Sequence, residues 1–174
     1  MTLIYPGSFD PVTLGHIDIA QRGASMANKL VVAVLTNASK TPHFTLNQRI
    51  AFLEDALGHI PNIEIDTFGG LLVDYARLKN ATAIIRGIRG ATDFENEAMY
   101  ATHNKLLSGQ SKLETIFIPA TPSLSYISST IAREAAHHIQ ANSLQNIALE
   151  NLVTPMVKAA LLNTDQINNI NKGE

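Results

Sequence analysis

Cysteine is absent from this 174-residue chain, which excludes a disulfide framework and any thiolate metal site. The six His include no pair at ligand spacing, since His137 and His138 are adjacent and point to different faces of a helix. No apolar run approaches the roughly 18 residues that a membrane span needs. The first residues carry neither a basic stretch nor a cleavage site, so no secretory leader is expected and the expected location is cytoplasmic. Positive charge is not in excess. Lys and Arg total 13 against 15 Asp and Glu, a net charge of −2 with no basic tail, which argues against bulk nucleic-acid binding. What remains suffices for one ordinary domain: hydrophobic residues make up 45% of the chain, enough for a core without staples.

Strand and helix patterns alternate from the start. Strands are expected at residues 2–5, 30–35, 63–68, 82–86 and 114–118, the second (LVVAVL) having the continuous β-branched character of a strand buried on both faces. Helices are expected at 15–28, 71–79 and 93–107, at 45–58 behind a Thr45/Gln48 capping box, from Ser128 to about residue 138, and from a Thr154-Pro155 start to about 162. The polar stretch 163–174 reads as a frayed tail, leaving one domain at 1–162. This order predicts an α/β doubly wound, five-stranded parallel sheet of Rossmann-like class with helices on both faces. Such sheets bind ligands beyond the carboxyl ends of their strands, so the segments after Tyr5, Leu35, Arg86 and Ile118 are where chemistry is sought.

The first segment runs from Pro6 to His16, and its glycine spacings fit neither a P-loop nor a dinucleotide fingerprint. It ends in Thr13-x-Gly15-His16 at a helix start, where a phosphate can sit on the helix N-terminus and His16 can donate to a charged oxygen. The plain alternative is a turn glycine followed by an exposed His. Lys40 follows the second strand as a point charge suited to a phosphate, or as an ordinary solvated Lys. Arg86 and Arg89, flanked by glycines, can offer guanidinium forks to phosphate oxygens. A structural ion pair of Arg86 with Asp93, Glu95 or Glu97 is the rival, and Glu97 by itself reads as an exposed helical acid. Ser128, Ser129 and Thr130 put three hydroxyls at one helix start, where capping requires one. Together these place a polyanion site in a net-negative protein.

The runs Gly7-Ser8-Phe9-Asp10-Pro11, Gly15-His16 and Ile127-Ser128-Ser129-Thr130-Ile131-Ala132-Arg133 resemble the nucleotidyltransferase superfamily, marked by T/HxGH and ISSTxxR-like motifs. Within it, Tyr5-Pro6-Gly7, Lys40 before Pro42, and Ile85-Arg86-Gly87-Ile88-Arg89 with Asp93-Phe94-Glu95 and Glu97 make the chain similar to the bacterial phosphopantetheine adenylyltransferases. The resemblance implies ATP and 4′-phosphopantetheine as substrates, Mg²⁺ arriving with ATP, no dedicated protein metal site, and a homohexamer. It implies catalytic roles for His16 and Lys40. Ser8 would touch both substrates, and Lys40, Leu72 and Arg86 would touch phosphopantetheine. Phe9, His16, Gly87, Ile88, Arg89, Glu97, Leu124, Ser125, Tyr126, Ile127, Ser128, Ser129 and Thr130 would line the nucleotide site. The chain departs from the family pattern with Ser8 in place of Thr, Leu124 in place of an aromatic residue, and Gly90 in place of Ala.

Two other readings compete. One is a sister enzyme, a nicotinamide-mononucleotide adenylyltransferase or a cytidylyltransferase, against which the 86–97 stretch argues. The other is a non-catalytic ATP-binding module, which would need neither His16 nor Lys40. The helix at 93–107 adds a hint of assembly. Phe94, Ala98, Met99, Ala101, Leu106 and Leu107 exceed the single stripe that packing on a sheet requires, unless the 139–153 segment covers the surplus.

Overall fold

The computed structural model of the chain describes residues 1–36, 41–109, 113–142 and 147–170. Strands β1 (Thr2–Gly7), β2 (Lys29–Thr36), β3 (Ile63–Gly69), β4 (Ala83–Ile88) and β5 (Glu114–Pro119) form one parallel sheet. Its order is β3-β2-β1-β4-β5. β1 and β2 bury Leu3, Ile4, Leu30, Val31, Val32 and Val34 completely, as expected of strands covered on both faces.

Side-chain alternation sorts the helices between the two faces. Leu3, Tyr5, Ala83 and Ile85 face a core shared with α1 (Leu14–Ser25), α2 (Leu46–Leu57), α5 (Ser129–Asn142) and α7 (Pro155–Ile170). Ile4 and Ile84 face a smaller core with Val73, Tyr75 and Ala76 of α3 (Leu72–Leu78), beside which lies α4 (Ala91–Ser108). α1 and α2 carry the chain outward from β1 toward β3. α3 returns it across to β4, and α4 continues to β5. Right-handed crossovers in opposite directions need opposite faces, and this is the distribution seen. The short α6 (Ile147–Glu150) precedes α7.

Local signals set the helix ends. Thr45 and Gln48 form the expected capping box of α2, which ends at Gly58. Thr13 caps α1, and the reciprocal N3 partner is His16 rather than Glu or Gln. α1 lies close on the sheet at Gly23, where an added Cβ would stand 2.4 Å from the Ile85 Cδ1.

Three expectations are corrected. α7 does not fray at Asn163 but continues to Ile170, because neither proline nor glycine interrupts the polar run before Gly173. β4 extends to Ile88, since Gly87 and Ile88 still pair with Ile118 and Pro119 through backbone groups. In the 139–153 segment, the described Ile139, Leu149, Leu152 and Val153 pack into the core on the other face and not on α4. Phe94, Met99, Tyr100 and Leu107 of α4 stay about half exposed or more, and Leu106 is 74% exposed.

The Gly23 contact generates a stability prediction. Gly23→Val forces a branched side chain against Ile85 and Leu30 and should lower unfolding free energy by about 1–3 kcal/mol, the usual cost of overpacking. Urea unfolding measures it, and an unchanged midpoint would refute the contact.

Candidate active site

The strand order reverses between β1 and β4, and a cleft of about 320 Å³ opens beyond their carboxyl ends. Its walls come from the loop after β1, the start of α1, the end of β4, the first turns of α4, and the start of α5.

The loop after β1 is firmly braced. The Asp10 carboxylate accepts from the backbone N–H groups of His43 and Phe44 at 2.8 and 2.9 Å. The buried Arg49 donates to the Ser8 carbonyl at 2.8 Å, and Arg133 donates to the Asp10 carbonyl. Arg133, the last residue of the second motif, therefore acts on the first motif's backbone. Phe9 takes a left-handed φ of 45°, unusual for a bulky residue, and its ring is buried edge-on to both Tyr5 and His16. That ring explains Gly7, whose Cβ, if present, would lie 2.9 Å from it.

His16 is oriented by its own helix cap. The Thr13 backbone N–H donates to Nδ1 at 3.1 Å, and the Thr13 hydroxyl lies 2.9 Å from the same nitrogen. A backbone N–H can only donate, so Nδ1 must accept and the proton of the neutral ring sits on Nε2. Desolvation, then the Arg89 and Arg86 charges, hold the ring's pKa down to about 4. The side chain thus offers the cleft one N–H donor and no charge.

Two arginines reach the cleft already paired. Arg86 donates from Nε and Nη2 to Glu97 at 2.5 and 2.6 Å, and from Nη1 to the Pro6 carbonyl at 3.0 Å. Those bonds use three of its five N–H groups, leaving two for a ligand. Arg89 donates from Nε and Nη2 to Asp93, both at 3.2 Å, and its backbone N–H reaches the same carboxylate. Burial alone would raise the Asp93 carboxyl, but the Arg89 bonds outweigh it and hold the group below the usual carboxylate range.

At the start of α5 the three hydroxyls have separate partners. Ser128 Oγ accepts from the Ile131 N–H at 3.1 Å, Ser129 donates to the Pro11 carbonyl at 2.8 Å, and Thr130 lies near Arg133. Of the first-turn N–H groups of α5, those of Ser129 and Thr130 remain for an anion.

Of the residues expected in the site, Ser8, Phe9, His16, Arg86, Gly87, Arg89, Glu97, Leu124, Ile127, Ser128, Ser129 and Thr130 line one cleft. Ile88, Ser125 and Tyr126 lie beside it without lining it. The Ile88 carbonyl accepts from Ala120, Ser125 Oγ donates to the Pro122 carbonyl, and Tyr126 is exposed. Leu72, the first residue of α3, packs against the smaller core and does not line the cleft. Lys40 lies outside the described residues. Tyr5, Thr13 and Asp93 also line the cleft and were not foreseen. A capping spacing from Thr13 to His16 and an Arg-to-Asp spacing of four were legible signals for two of them.

Comparison with known proteins accords with this geometry. The cytidylyltransferase-like family matches residues 4–135. The phosphopantetheine adenylyltransferase of Caldanaerobacter subterraneus subsp. tengcongensis is 51% identical over 76% of this chain and 82% of its own. That of Psychromonas ingrahamii is 45% identical over 92% of this chain and 94% of its own. The structure of Plasmodium falciparum nicotinic acid mononucleotide adenylyltransferase complexed with NaAD superposes with a TM-score of 0.65 at 16% identity. It covers 97% of this chain and 95% of that one, a likeness of fold.

The state of His16 predicts a pH response. Its folded pKa lies below the usual 6.5, so the unfolded chain binds the extra proton first. The stability this contributes is complete above about pH 6.5 and is lost as pH falls toward 4. Nitrogen-15 NMR of the imidazole should show Nε2–H neutral ring from pH 7 down to about 5, whereas a titration midpoint near 6.5 would refute the Thr13 anchor.

Proposed function

The chain belongs to the cytidylyltransferase-like family and, within it, to the phosphopantetheine adenylyltransferases. From that premise we propose that it transfers AMP from ATP to the phosphate of 4′-phosphopantetheine, giving dephospho-coenzyme A and pyrophosphate. The observation that carries the reading is the meeting of a neutral His16 donor, two arginines and a helix N-terminus in one cleft at the strand-order switch.

An oxygen of the acceptor phosphate attacks the α-phosphorus of ATP. The new P–O bond forms as the bond to the β-phosphate oxygen breaks, and the electron pair leaves with pyrophosphate. The acceptor is already ionised, so no general base and no covalent enzyme intermediate are needed. Catalysis then rests on positioning and on donors aimed at developing charge. His16 Nε2–H donates to a non-bridging α-phosphate oxygen. A neutral donor suits this task, because its Nδ1 stays fixed by Thr13 throughout. The free N–H groups of Arg86 orient the acceptor phosphate, a task the family resemblance assigns to Lys40 as well. Arg89 and the start of α5 hold the β- and γ-phosphates, with Ser8 at the junction of the two substrates.

Among the described residues no three His, Asp or Glu cluster as a cation cage, and Asp93 and Glu97 are engaged by arginines. Mg²⁺ in this reading is held by the phosphates of the nucleotide and shields their charge. No helix among the described residues is long and apolar enough to cross a membrane, and the reading places the enzyme in the cytoplasm. The open apolar surface of α4 supports a homohexamer in which a second copy covers Met99, Tyr100 and Leu106.

Two measurements test these statements. Wild-type protein given ATP and phosphopantetheine should yield dephospho-coenzyme A by mass detection, and absence of product overturns the function. In the same assay His16→Ala should lower kcat about 10²–10³-fold with a smaller change in ATP affinity. Sedimentation equilibrium at micromolar concentration should give a multiple of the 18.9 kDa chain mass, six for the hexamer, and Leu106→Glu should shift it downward. A species at 18.9 kDa throughout would refute the assembly.

A further inference from the structure

Tyr5 has no part in the steps above, yet it lines the cleft. The residue is 6% exposed, and its ring stands edge-on to Phe9 with centroids 5.4 Å apart. Among the described residues its hydroxyl has no hydrogen-bond partner, and it is not sealed from the cleft either. A phenol withdrawn from bulk water without a partner forfeits a hydrogen bond that it held in the unfolded chain. A leucine or phenylalanine would fill the same core space without that cost. The hydroxyl is therefore open to a partner that enters the cleft.

Strand alternation says on which side. Tyr5 faces the α1 side of the sheet with Leu3, and so does Gly87, whose Cα looks onto Ile19 of α1. Arg86, between Ile85 and Gly87, faces the opposite side and meets Glu97 of α4. Tyr5 thus stands under the half of the cleft framed by His16 and Gly87. Electrostatics say what it meets there. Arg86, Glu97, Arg89 and Asp18 all act on the phenol. Glu97 is committed to Arg86, and Asp18 to Arg22 and Thr121, while both cleft arginines keep free N–H groups. An anion is the ligand this setting favours. Burial pushes the phenol pKa up, so the group keeps its proton and can only donate to that anion.

We propose that the Tyr5 hydroxyl is a further nucleotide-binding group, donating its O–H to a phosphate oxygen of bound ATP. The inference rests on the reading of ATP as substrate. It makes a distinctive forecast: the hydroxyl adds nothing to the empty protein and contributes only when the nucleotide is bound.

Tyr5→Phe removes the oxygen and keeps the ring on Phe9. The variant should melt no lower than wild type without ligand. Its ATP affinity by calorimetry should fall about tenfold or more, as expected for a lost hydrogen bond to a charged group. Binding of phosphopantetheine, and of adenosine as a phosphate-free probe, should match wild type. A lower melting temperature without ligand would make the hydroxyl structural and overturn the proposal. Unchanged ATP affinity, a loss confined to phosphopantetheine, or an equal loss for adenosine would each overturn it too. Wild-type turnover separates the two levels. Product from wild type with an unaltered Tyr5→Phe variant sinks this assignment alone, whereas wild type that neither binds ATP nor turns over sinks the function with it.

Discussion

The placement of β1 between β2 and β4 is the constraint from which the site follows. A right-handed connection from β1 toward β2 must pass over one face of the sheet, and one from β4 toward β5 must pass over the other. α1 and α4 therefore diverge from adjacent strand ends, and no helix can close the gap between them. Everything that gives the cleft its chemistry is hung on that gap: His16 on the first turn of α1, Asp93 and Glu97 on the first turns of α4, and Arg86 and Gly87 on β4 itself. Moving either helix to the other face would fill the gap with apolar side chains and leave the arginines without a cavity to serve.

The cleft is also balanced in charge before any ligand arrives. Arg86 and Arg89 each hold a carboxylate from α4, so the protein does not leave two guanidinium groups crowded and unpaired in a part-buried space. The pairing uses only some of each fork. A phosphate can add to the remaining donors without breaking the ion pairs, and it then meets groups whose directions are already set. His16 follows the same economy by another route. Its ring is fixed through Nδ1 and stays neutral, so it adds direction at Nε2 without adding a third positive charge beside the two arginines. A protonated imidazole would have to release the Thr13 N–H, and the orientation with it.

Much of this was legible in the sequence because it depends on local pattern. The β-branched run at 30–35, the Thr45/Gln48 box and the alternation of periods fixed the order of elements, and the order fixed where ligands bind. Most of the motif residues then fell into one cleft, with Ile88, Ser125 and Tyr126 beside it. What stayed hidden depends on contacts between distant segments. The choice of Glu97 over Asp93 or Glu95 as the partner of Arg86 is settled by the angle at which α4 leaves β4, a tertiary quantity. Arg133 could be read as part of a motif but not as a brace on Asp10, more than a hundred residues earlier. The extended ends of β4 and α7 escaped for a different reason. Glycine and asparagine discourage regular structure locally, while backbone pairing in one case and helical continuation in the other cost nothing further once begun.

The period of two along β4 gives one short stretch two faces, which suits the proposed pair of substrates. Arg86 and Gly87 are neighbours in sequence, yet their Cα–Cβ directions point to opposite faces. Arg86 turns toward α4, where it meets Glu97 and keeps two N–H groups for the proposed acceptor phosphate. Gly87 turns toward α1, where even a methyl group would press on Ile19 at 3.0 Å, so the strand surface there stays low. In the proposed reaction the acceptor phosphate and the α-phosphate must meet in line, one delivered from each face. A strand that ends between the two faces, with a cation on one and bare backbone on the other, supplies that convergence without a moving part. The insertion of one residue between Ile85 and Arg86 would exchange the two directions, which is why the pairing of β4 with both β1 and β5 matters to the chemistry as much as the identity of the side chains.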